Sequence, residues 1–267
     1  MSRFLEWLLP VLVGAAGLAG WEAAVRLAGI PPYILPAPSV VAVRLVTDWS
    51  VLGPSLLFTL ETTGLALLAA VLGGTALAIL FAQSRLIERS FFPYAVVLQV
   101  TPIVAVAPLI IIWVDKMIQS DASTLVALLI CAWIVAFFPI LSNTTLGLNS
   151  ADRNLVALFR IYRASRWQTL RYLRLPSAMP YFFAGLRISG GLSLIGAVVA
   201  EFVAGAGGRE SGLAYRILEA GYRIDVPRMF AALFLISLTG IAIYLLLSGL
   251  SWLVLHNWHE SATRAED

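Results

Sequence analysis

Hydrophobic stretches decide the fold, and the clearest is residues 56–81, which read LLFTLETTGLALLAAVLGGTALAILF. This stretch contains one charged residue, Glu61, and exceeds the roughly 20 apolar residues that a helix needs to cross a bilayer. Five other stretches share this character, so we predict six spans, over residues 4–27, 56–81, 91–114, 125–143, 181–204 and 229–255. The predicted fold class is an all-α polytopic membrane protein, with residues 1–267 forming one transmembrane domain.

The composition of the chain leads to the same class. Of the 267 residues, 60% are hydrophobic and 12% are charged, with a mean hydropathy of +0.89. A soluble domain carries about 25% charged residues. These values exclude a secreted enzyme and a nucleic-acid-binding domain, and they make the lipid bilayer the expected environment. Since Cys131 is the single cysteine, no cysteine metal cluster is predicted, and we expect His256 and His259 to be interfacial polar residues and not metal ligands.

The distribution of basic residues predicts the orientation. We expect residues 4–27 to remain as a helix, because this apolar run is longer than that of a signal peptide. With the N-terminus inside, the cytoplasmic connections hold Arg3, Arg85, Arg89, Arg153, Arg160, Arg163, Arg166, Arg171, Arg174, Arg187 and Arg264. The outer connections hold Arg26, Arg44, Lys116, Arg209, Arg216, Arg223 and Arg228. The positive-inside rule therefore places both termini and the connection of residues 144–180 in the cytoplasm.

Two connections are too long and too patterned to be simple turns. In the inner connection, arginines share one sector of a helical projection, and leucines and Phe159 supply apolar positions. This pattern fits either a basic amphipathic helix on anionic lipid or a pair of short helices that dock a cytoplasmic partner. The outer connection, residues 205–228, begins with Gly205, Gly207 and Gly208. A short predicted helix, residues 213–222, follows, in which Glu219 is spaced to pair with Arg216 and Arg223.

The inner connection resembles a known family motif. It contains Ala157-Leu158-Phe159, then Arg163-Ala164-Ser165-Arg166-Trp167, then Leu173-Arg174-Leu175-Pro176. This is similar to the cytoplasmic loop of permease subunits of bacterial ABC importers, whose pattern is E-A-A, three residues, G, nine residues, I-x-L-P. Further segments resemble the nitrate, sulfonate, taurine and bicarbonate type, which includes relatives that move pyrimidine precursors or flavins. They are Ile34-Leu35-Pro36-Ala37-Pro38-Ser39-Val40, Pro102, Pro108-Leu109, Trp113, Gly185-Leu186-Arg187, Ala200-Glu201 and Gly212-Leu213-Ala214-Tyr215.

The resemblance implies a permease of the type I importer fold in the bacterial inner membrane. Its expected partners are ATPase subunits, a periplasmic substrate-binding protein and a second copy of the permease. The chain lacks G-x-x-x-x-G-K-[ST], so we expect it to bind no cofactor and to be no enzyme, with ATP and Mg held by the partner. The implied ATPase-coupling residues are Ala157, Leu158, Phe159, Tyr162, Arg163, Ala164, Ser165, Trp167, Leu175 and Pro176. We expect Pro176 to end the second helix of the loop.

Two departures from the pattern concern the loop itself. Ala157 stands where the family has Glu, and Arg163 stands where it has Gly. Glycine permits a turn with positive φ between two helices. Arginine at this position therefore predicts either a different turn geometry or a helix that continues through it.

Ionisable residues within spans are candidates for the translocation pathway. Glu22, Glu61 and Glu201 lie toward the outer ends of their predicted spans. One interpretation is structural, in which they snorkel or pair with arginines. The other places Glu201 and Glu61 in the pathway with Gln99, Thr101 and Pro102. Carboxylates at the outer mouth disfavour a small anion, which favours an uncharged, zwitterionic or heterocyclic solute.

Two further alternatives stay open at this point. Gly185, Gly190, Gly191 and Gly196 in the fifth span permit close approach of helices, either within one subunit or between two copies. An ion-gradient-driven transporter without an ATPase is the alternative function, in which case the basic inner connection only sets the orientation.

Overall fold

A computed structural model describes residues 3–120, 122–205 and 211–256 of the chain, and these residues contain no β-strand. The helices are α1 (Arg3–Leu27), α2 (Pro38–Thr47), α3 (Trp49–Gln83), α4 (Arg85–Val100), α5 (Ile103–Ile118), α6 (Ser123–Asn149), α7 (Arg153–Ile161), α8 (Arg166–Thr169), α9 (Leu175–Ala204), α10 (Leu213–Tyr222) and α11 (Val226–Leu255). A π-helical turn, Leu170–Arg174, joins α8 to α9. The all-α fold class is confirmed.

Five helical stretches among the described residues are long and apolar enough to cross a membrane. They cover Leu8–Leu27, Trp49–Gln83, Ser123–Asn149, Arg166–Ala204 and Val226–Leu255. The number rises to six when the bent pair α4–α5 is taken as one span, in agreement with the sequence. Several helices extend beyond the predicted apolar stretches because hydropathy marks only the part of a helix that fits the bilayer core.

The third predicted span, residues 91–114, is not one straight helix. α4 ends at Val100, α5 begins at Ile103, and the two helices meet at an angle of 100°. Pro102 has no backbone N–H, and it disfavours the helical conformation of the residue before it. Thr101 is accordingly extended, with φ −68° and ψ 121°. Pro102 thus breaks this span, whereas Pro108 lies inside α5 and does not interrupt it.

The inner connection is shorter than the predicted residues 144–180. α6 continues to Asn149, and α9 begins at Leu175. Thr144, Thr145, Gly147 and Leu148 are buried, so the packed face of α6 extends past the predicted end of the span. The threonines interrupted the apolar pattern in the sequence without interrupting the helix.

The chain divides into two compact units, residues 1–58 with 207–237, and residues 59–206 with 238–267. The first unit has its own apolar core, in which Val41 of α2, Leu52 of α3 and Leu213 of α10 pack with Ala231 and Leu235 of α11. The predicted helix over residues 213–222 is confirmed as α10. The assignment of residues 1–267 to a single domain stays a prediction.

Close packing of α6 against α9 forms the centre of the second unit. A Cβ atom at Gly185 would lie 2.7 Å from the carbonyl oxygen of Pro139, and one at Gly196 would lie 2.8 Å from Cα of Ala132. A Cβ atom at Gly190 would collide with the side chain of Leu247 of α11. Packing within one subunit therefore accounts for these three glycines. The fourth, Gly191, has open space beside it.

Some residues named in the sequence analysis lie outside the described ranges. They are Gly207, Gly208, Arg209, His259 and Arg264.

Candidate functional site

Residues 150–174 form two short helices and a π turn, which we call the α7–α8 segment. α7 begins at a strong N-cap, because the carboxylate of Asp152 accepts the N–H groups of Asn154, at 2.6 Å, and Leu155, at 3.3 Å. An aspartate at this position satisfies backbone donors that a helix leaves unpaired. The segment therefore consists of two short helices and not of one continuous helix, while the docking of a cytoplasmic partner stays a prediction.

α7 ends in a Schellman turn with Arg163 in the left-handed conformation, at φ 52°. The N–H of Ala164 donates to the carbonyl of Phe159 at 2.9 Å, and the N–H of Arg163 donates to the carbonyl of Arg160 at 3.0 Å. These are the two hydrogen bonds that define the motif. The expectation from the departure at Arg163 is therefore wrong. The chain neither changes the turn nor continues the helix, but places arginine in a conformation that favours glycine.

α8 begins at a capping box and leads directly into the span. Gln168 N–H donates to Oγ of Ser165 at 3.1 Å, and Ser165 N–H donates to Oε1 of Gln168 at 2.7 Å. Pro176 does not end this helix, contrary to expectation. It lies in the first turn of α9, where a missing N–H is tolerated, and the π turn before it adjusts the backbone hydrogen bonds.

The α7–α8 segment presents large apolar side chains to its surroundings. Tyr162 is 78% exposed and Trp167 is 63% exposed, and Leu158 is exposed as well. The other predicted coupling residues divide into an exposed group, Ala157, Arg163 and Ser165, and a half-buried group, Phe159, Ala164, Leu175 and Pro176. Sequence reasoning left out Ile161, which is 77% exposed. The signal available in the sequence was its position beside Tyr162 and just before the basic residue Arg163.

The same segment is firmly attached to the second unit. Leu170 of the π turn is buried in an apolar cluster with Phe81 of α3 and Ala178 of α9. Arg174 donates from a guanidinium N–H to the carbonyl of Ala82 at 2.7 Å, at the end of α3. The segment is therefore joined to α3 and α9 by packed side chains and a hydrogen bond.

The candidate pathway residues near the break in the third span have different surroundings. Gln99 and Pro102 are exposed, and Thr101 is half-buried. The hydroxyl of Thr101 donates to the carbonyl of Val97 at 2.7 Å, which satisfies one of the acceptors at the end of α4. The role of these three residues in the pathway stays a prediction.

The carboxylates of the spans also differ. Glu201 of α9 is 3% exposed, and its Oε1 accepts a hydrogen bond from the hydroxyl of Thr59 at 2.8 Å. Glu61, two residues further along α3, is exposed. Glu22 of α1 pairs with Arg26 and accepts the N–H and the hydroxyl of Ser39, at 3.0 and 2.8 Å. For Glu22 the structural interpretation is confirmed.

Alternating charges join the elements of the first unit. Arg228 of α11 contacts Asp48 at 2.6 Å and Asp225 at 3.6 Å, while Arg44 of α2 contacts Asp225 at 3.3 Å and Asp48 at 3.6 Å. Burial alone would raise the pKa of Asp48. The hydrogen bond from Arg228 and the charges of Arg228 and Arg44 outweigh this effect and hold the pKa below its usual value.

The pairs predicted within α10 are confirmed. Glu219 binds Arg216 at 2.8 Å and Arg223 at 2.9 Å. The hydrogen bond from Arg216 lowers the pKa of Glu219, and the positive charges of Arg216 and Arg223 act in the same direction. Arg216 also donates to the hydroxyls of Ser55, at 2.8 Å, and Ser211, at 2.7 Å. Sequence reasoning missed these two contacts, because the serines carry no charge pattern.

Comparison with known proteins identifies the family. Residues 70–264 match the family described as binding-protein-dependent transport system inner membrane component. This match covers most of the chain, including α6, the α7–α8 segment and α9. The chain belongs to this family.

Several relatives are similar along most of their length. The riboflavin transport system permease protein RibX of Chloroflexus aurantiacus is 37% identical, over 98% of this chain and 94% of its own. The formylaminopyrimidine transport permease protein ThiX of Halalkalibacterium halodurans is 33% identical, over 90% and 92%. The putative aliphatic sulfonates transport permease protein SsuC of Bacillus subtilis is 27% identical, over 88% and 82%. The chain is therefore an ABC importer permease in a membrane, and the ion-gradient alternative does not fit.

Proposed function

We propose that this permease serves the uptake of an uncharged heteroaromatic solute of the flavin or pyrimidine class. The observation that carries this proposal is the ranking of the relatives named above. Identity is 37% and 33% to permeases named for riboflavin and formylaminopyrimidine, and 27% to one named for sulfonates. The carboxylates Glu61 and Glu201 support it, since negative charge near a pathway disfavours small anions. Glu22 adds nothing to this argument because Arg26 neutralises it.

Uptake into cells that lack or regain the gene tests the solute class. Import of labelled riboflavin or formylaminopyrimidine should fall on deletion and return on complementation. Excess taurine and nitrate should not compete. Competition by either anion, with no effect of the heteroaromatic compounds, would contradict the proposal.

The α7–α8 segment is the proposed contact with a separate ATPase subunit. The exposed side chains of Leu158, Ile161, Tyr162 and Trp167 provide an apolar surface on two capped helices, and the arginines around them form a polar rim. Aromatic residues that are exposed in the free protein and become buried on binding carry much of the binding energy at protein interfaces. Closure of the ATPase on ATP would push the segment, and the contacts of Leu170 and Arg174 would pass that movement to α3 and α9.

A double variant, Tyr162→Ala with Trp167→Ala, tests this contact. Each truncation should cost about 2 kcal/mol of binding, so that ATPase co-purification is lost. Tyr172→Ala is the matched control, because Tyr172 is 66% exposed but lies on the π turn, outside the proposed surface. Normal association of the double variant, or equal loss in the control, would refute the docking role.

We also propose an orientation and an oligomeric state for this permease. We place both termini and the α7–α8 segment in the cytoplasm, a periplasmic binding protein on the opposite side, and the permease in a dimer with a second copy. In a Cys131→Ser background, a membrane-impermeant maleimide added to intact cells should label Arg223→Cys, directly after α10, and spare Ala157→Cys on α7. The reverse labelling would overturn this orientation. Crosslinking between two differently tagged copies tests the dimer.

A further inference from the structure

Four arginines line one cavity between the end of α3 and the α7–α8 segment. The cavity has a volume of about 540 Å³, and its walls include Arg85, Arg160, Arg166 and Arg174. A second cavity of about 630 Å³ lies beside it and shares Arg85, Arg160 and Arg174. Glu88 is the acidic residue in the wall of this second cavity, so positive charge dominates both.

These four arginines lack a counter-charge within the described ranges. No carboxylate there lies within ion-pair distance of any of them, in contrast to the network of the first unit. Among the four, only Arg174 has a side-chain hydrogen bond to a described residue, the carbonyl of Ala82, and this uses one of its five N–H donors. Like charges around one space repel each other, and a bound anion would relieve that repulsion.

The chemistry of the walls selects the kind of anion. Guanidinium groups form paired hydrogen bonds with the oxygens of phosphate and hold a phosphate more specifically than ammonium groups do. Ala164 and Leu170 add apolar surface next to the charges. A site of this composition accepts a phosphate group that carries an organic substituent.

We infer that this cavity binds a phosphate ester, through Arg85, Arg160, Arg166 and Arg174. The inference goes beyond the proposed function and does not depend on the solute that is carried. Two sources share the required chemistry, the headgroup of an anionic phospholipid and a free phosphate ester. The cavity lies beside the end of α3, a helix long and apolar enough to span a membrane, and basic pockets next to the cytoplasmic ends of such helices bind anionic headgroups. An anion there would hold α7 and α8 against α3.

Binding to the full-length chain in nanodiscs tests this inference in two arms. In the first, native mass spectrometry counts phosphatidylglycerol retained from discs of phosphatidylcholine and phosphatidylglycerol. In the second, calorimetry measures glycerol 3-phosphate binding in discs of phosphatidylcholine alone. The double variant Arg160→Gln with Arg166→Gln should weaken binding about 25-fold, since each basic residue near an anionic group contributes about fivefold.

The matched control is Arg171→Gln with Arg187→Gln, which removes the same charge from exposed sites outside both cavities. It should bind as the wild type does. Retention of phosphatidylglycerol in the first arm identifies a lipid site, and binding in the second identifies a soluble ester. The single variant Arg166→Gln, with an expected loss of about fivefold, serves if the double variant fails to fold. No binding in either arm, or equal loss in the control, would overturn the inference.

Discussion

The left-handed conformation of Arg163 makes a sharp prediction about stability. A residue other than glycine in the left-handed conformation destabilises the fold by roughly 1–2 kcal/mol. Substitution by glycine removes this cost, but it also lowers stability by about 0.4–1 kcal/mol because it increases the conformational entropy of the unfolded chain. Arg163→Gly should therefore stabilise the α7–α8 segment by about 0.5–1 kcal/mol. The two hydrogen bonds of the Schellman turn use backbone atoms, so the substitution leaves them in place.

Hydrogen exchange of the peptide that covers residues 153–166 measures this change. A gain of 1 kcal/mol slows exchange through local opening about fivefold. Arg160→Gly is the matched control, because it removes the same side chain from a helical position of α7. There glycine costs about 1 kcal/mol, so exchange should accelerate.

Arg163→Ala separates the loss of charge from the gain of glycine, and it should leave exchange nearly unchanged. Faster exchange in Arg163→Gly, comparable with Arg160→Gly, would show that residue 163 is not left-handed. That result would refute the reasoning about the turn.

Three further substitutions test the spans and the ion pairs of the first unit by thermal unfolding of the purified protein in nanodiscs. Thr59→Val should destabilise the protein by about 2 kcal/mol, because it removes a hydrogen bond to the buried carboxylate of Glu201. Gly185→Ala should cost about 1–3 kcal/mol through overpacking, since its Cβ would meet a backbone oxygen at 2.7 Å, whereas Gly191→Ala should be tolerated. Asp48→Asn should destabilise at neutral pH, and its difference from wild type should shrink as the pH falls below about 4.

The sign of the pH effect follows from the direction of the pKa shift. The carboxyl of Asp48 has a lower pKa in the folded protein than in the unfolded chain, so its ion pairs stabilise the fold above the unfolded pKa. Protonation at lower pH removes this contribution from the wild type, while Asp48→Asn has none to lose. A constant difference between the two proteins down to pH 3 would contradict this account. If Thr59→Val or Gly185→Ala unfolds at the same temperature as the wild type, the contact described for that residue is contradicted.

The spans and the pairs of α10 were predictable because their causes are local. A bilayer requires long apolar runs, and helical spacing alone brings Glu219 to Arg216 and Arg223. The pair between Asp48 and Arg228 was not predictable, because 180 residues separate them and only the fold brings them together. The burial of charged groups depends on tertiary packing, which periodicity does not specify.

The errors in the inner connection have a different physical origin. The rules for glycine and proline were correct as preferences, but the surrounding hydrogen bonds decided the outcome. The Schellman turn fixes φ at Arg163 whatever its side chain, and the π turn accommodates Pro176 inside a continuing helix. The coupling role of the loop and the pathway role of Glu201 concern partners and solutes, so helical patterns in one chain leave them as predictions.

The exceptions to ordinary sequence rules are concentrated in the α7–α8 segment. A left-handed arginine, apolar side chains as exposed as Tyr162 and Trp167, and three of the four arginines that form no ion pair with a described residue all lie within about 25 residues. α6 and α9 nearby follow those rules closely, with small residues at their contacts. Each exception lowers the stability of the isolated chain. The proposals above would offset two of these costs, with an apolar partner surface for the aromatic residues and an anion for the arginines. The local cost of this segment therefore supports the proposal that the permease meets other molecules through it.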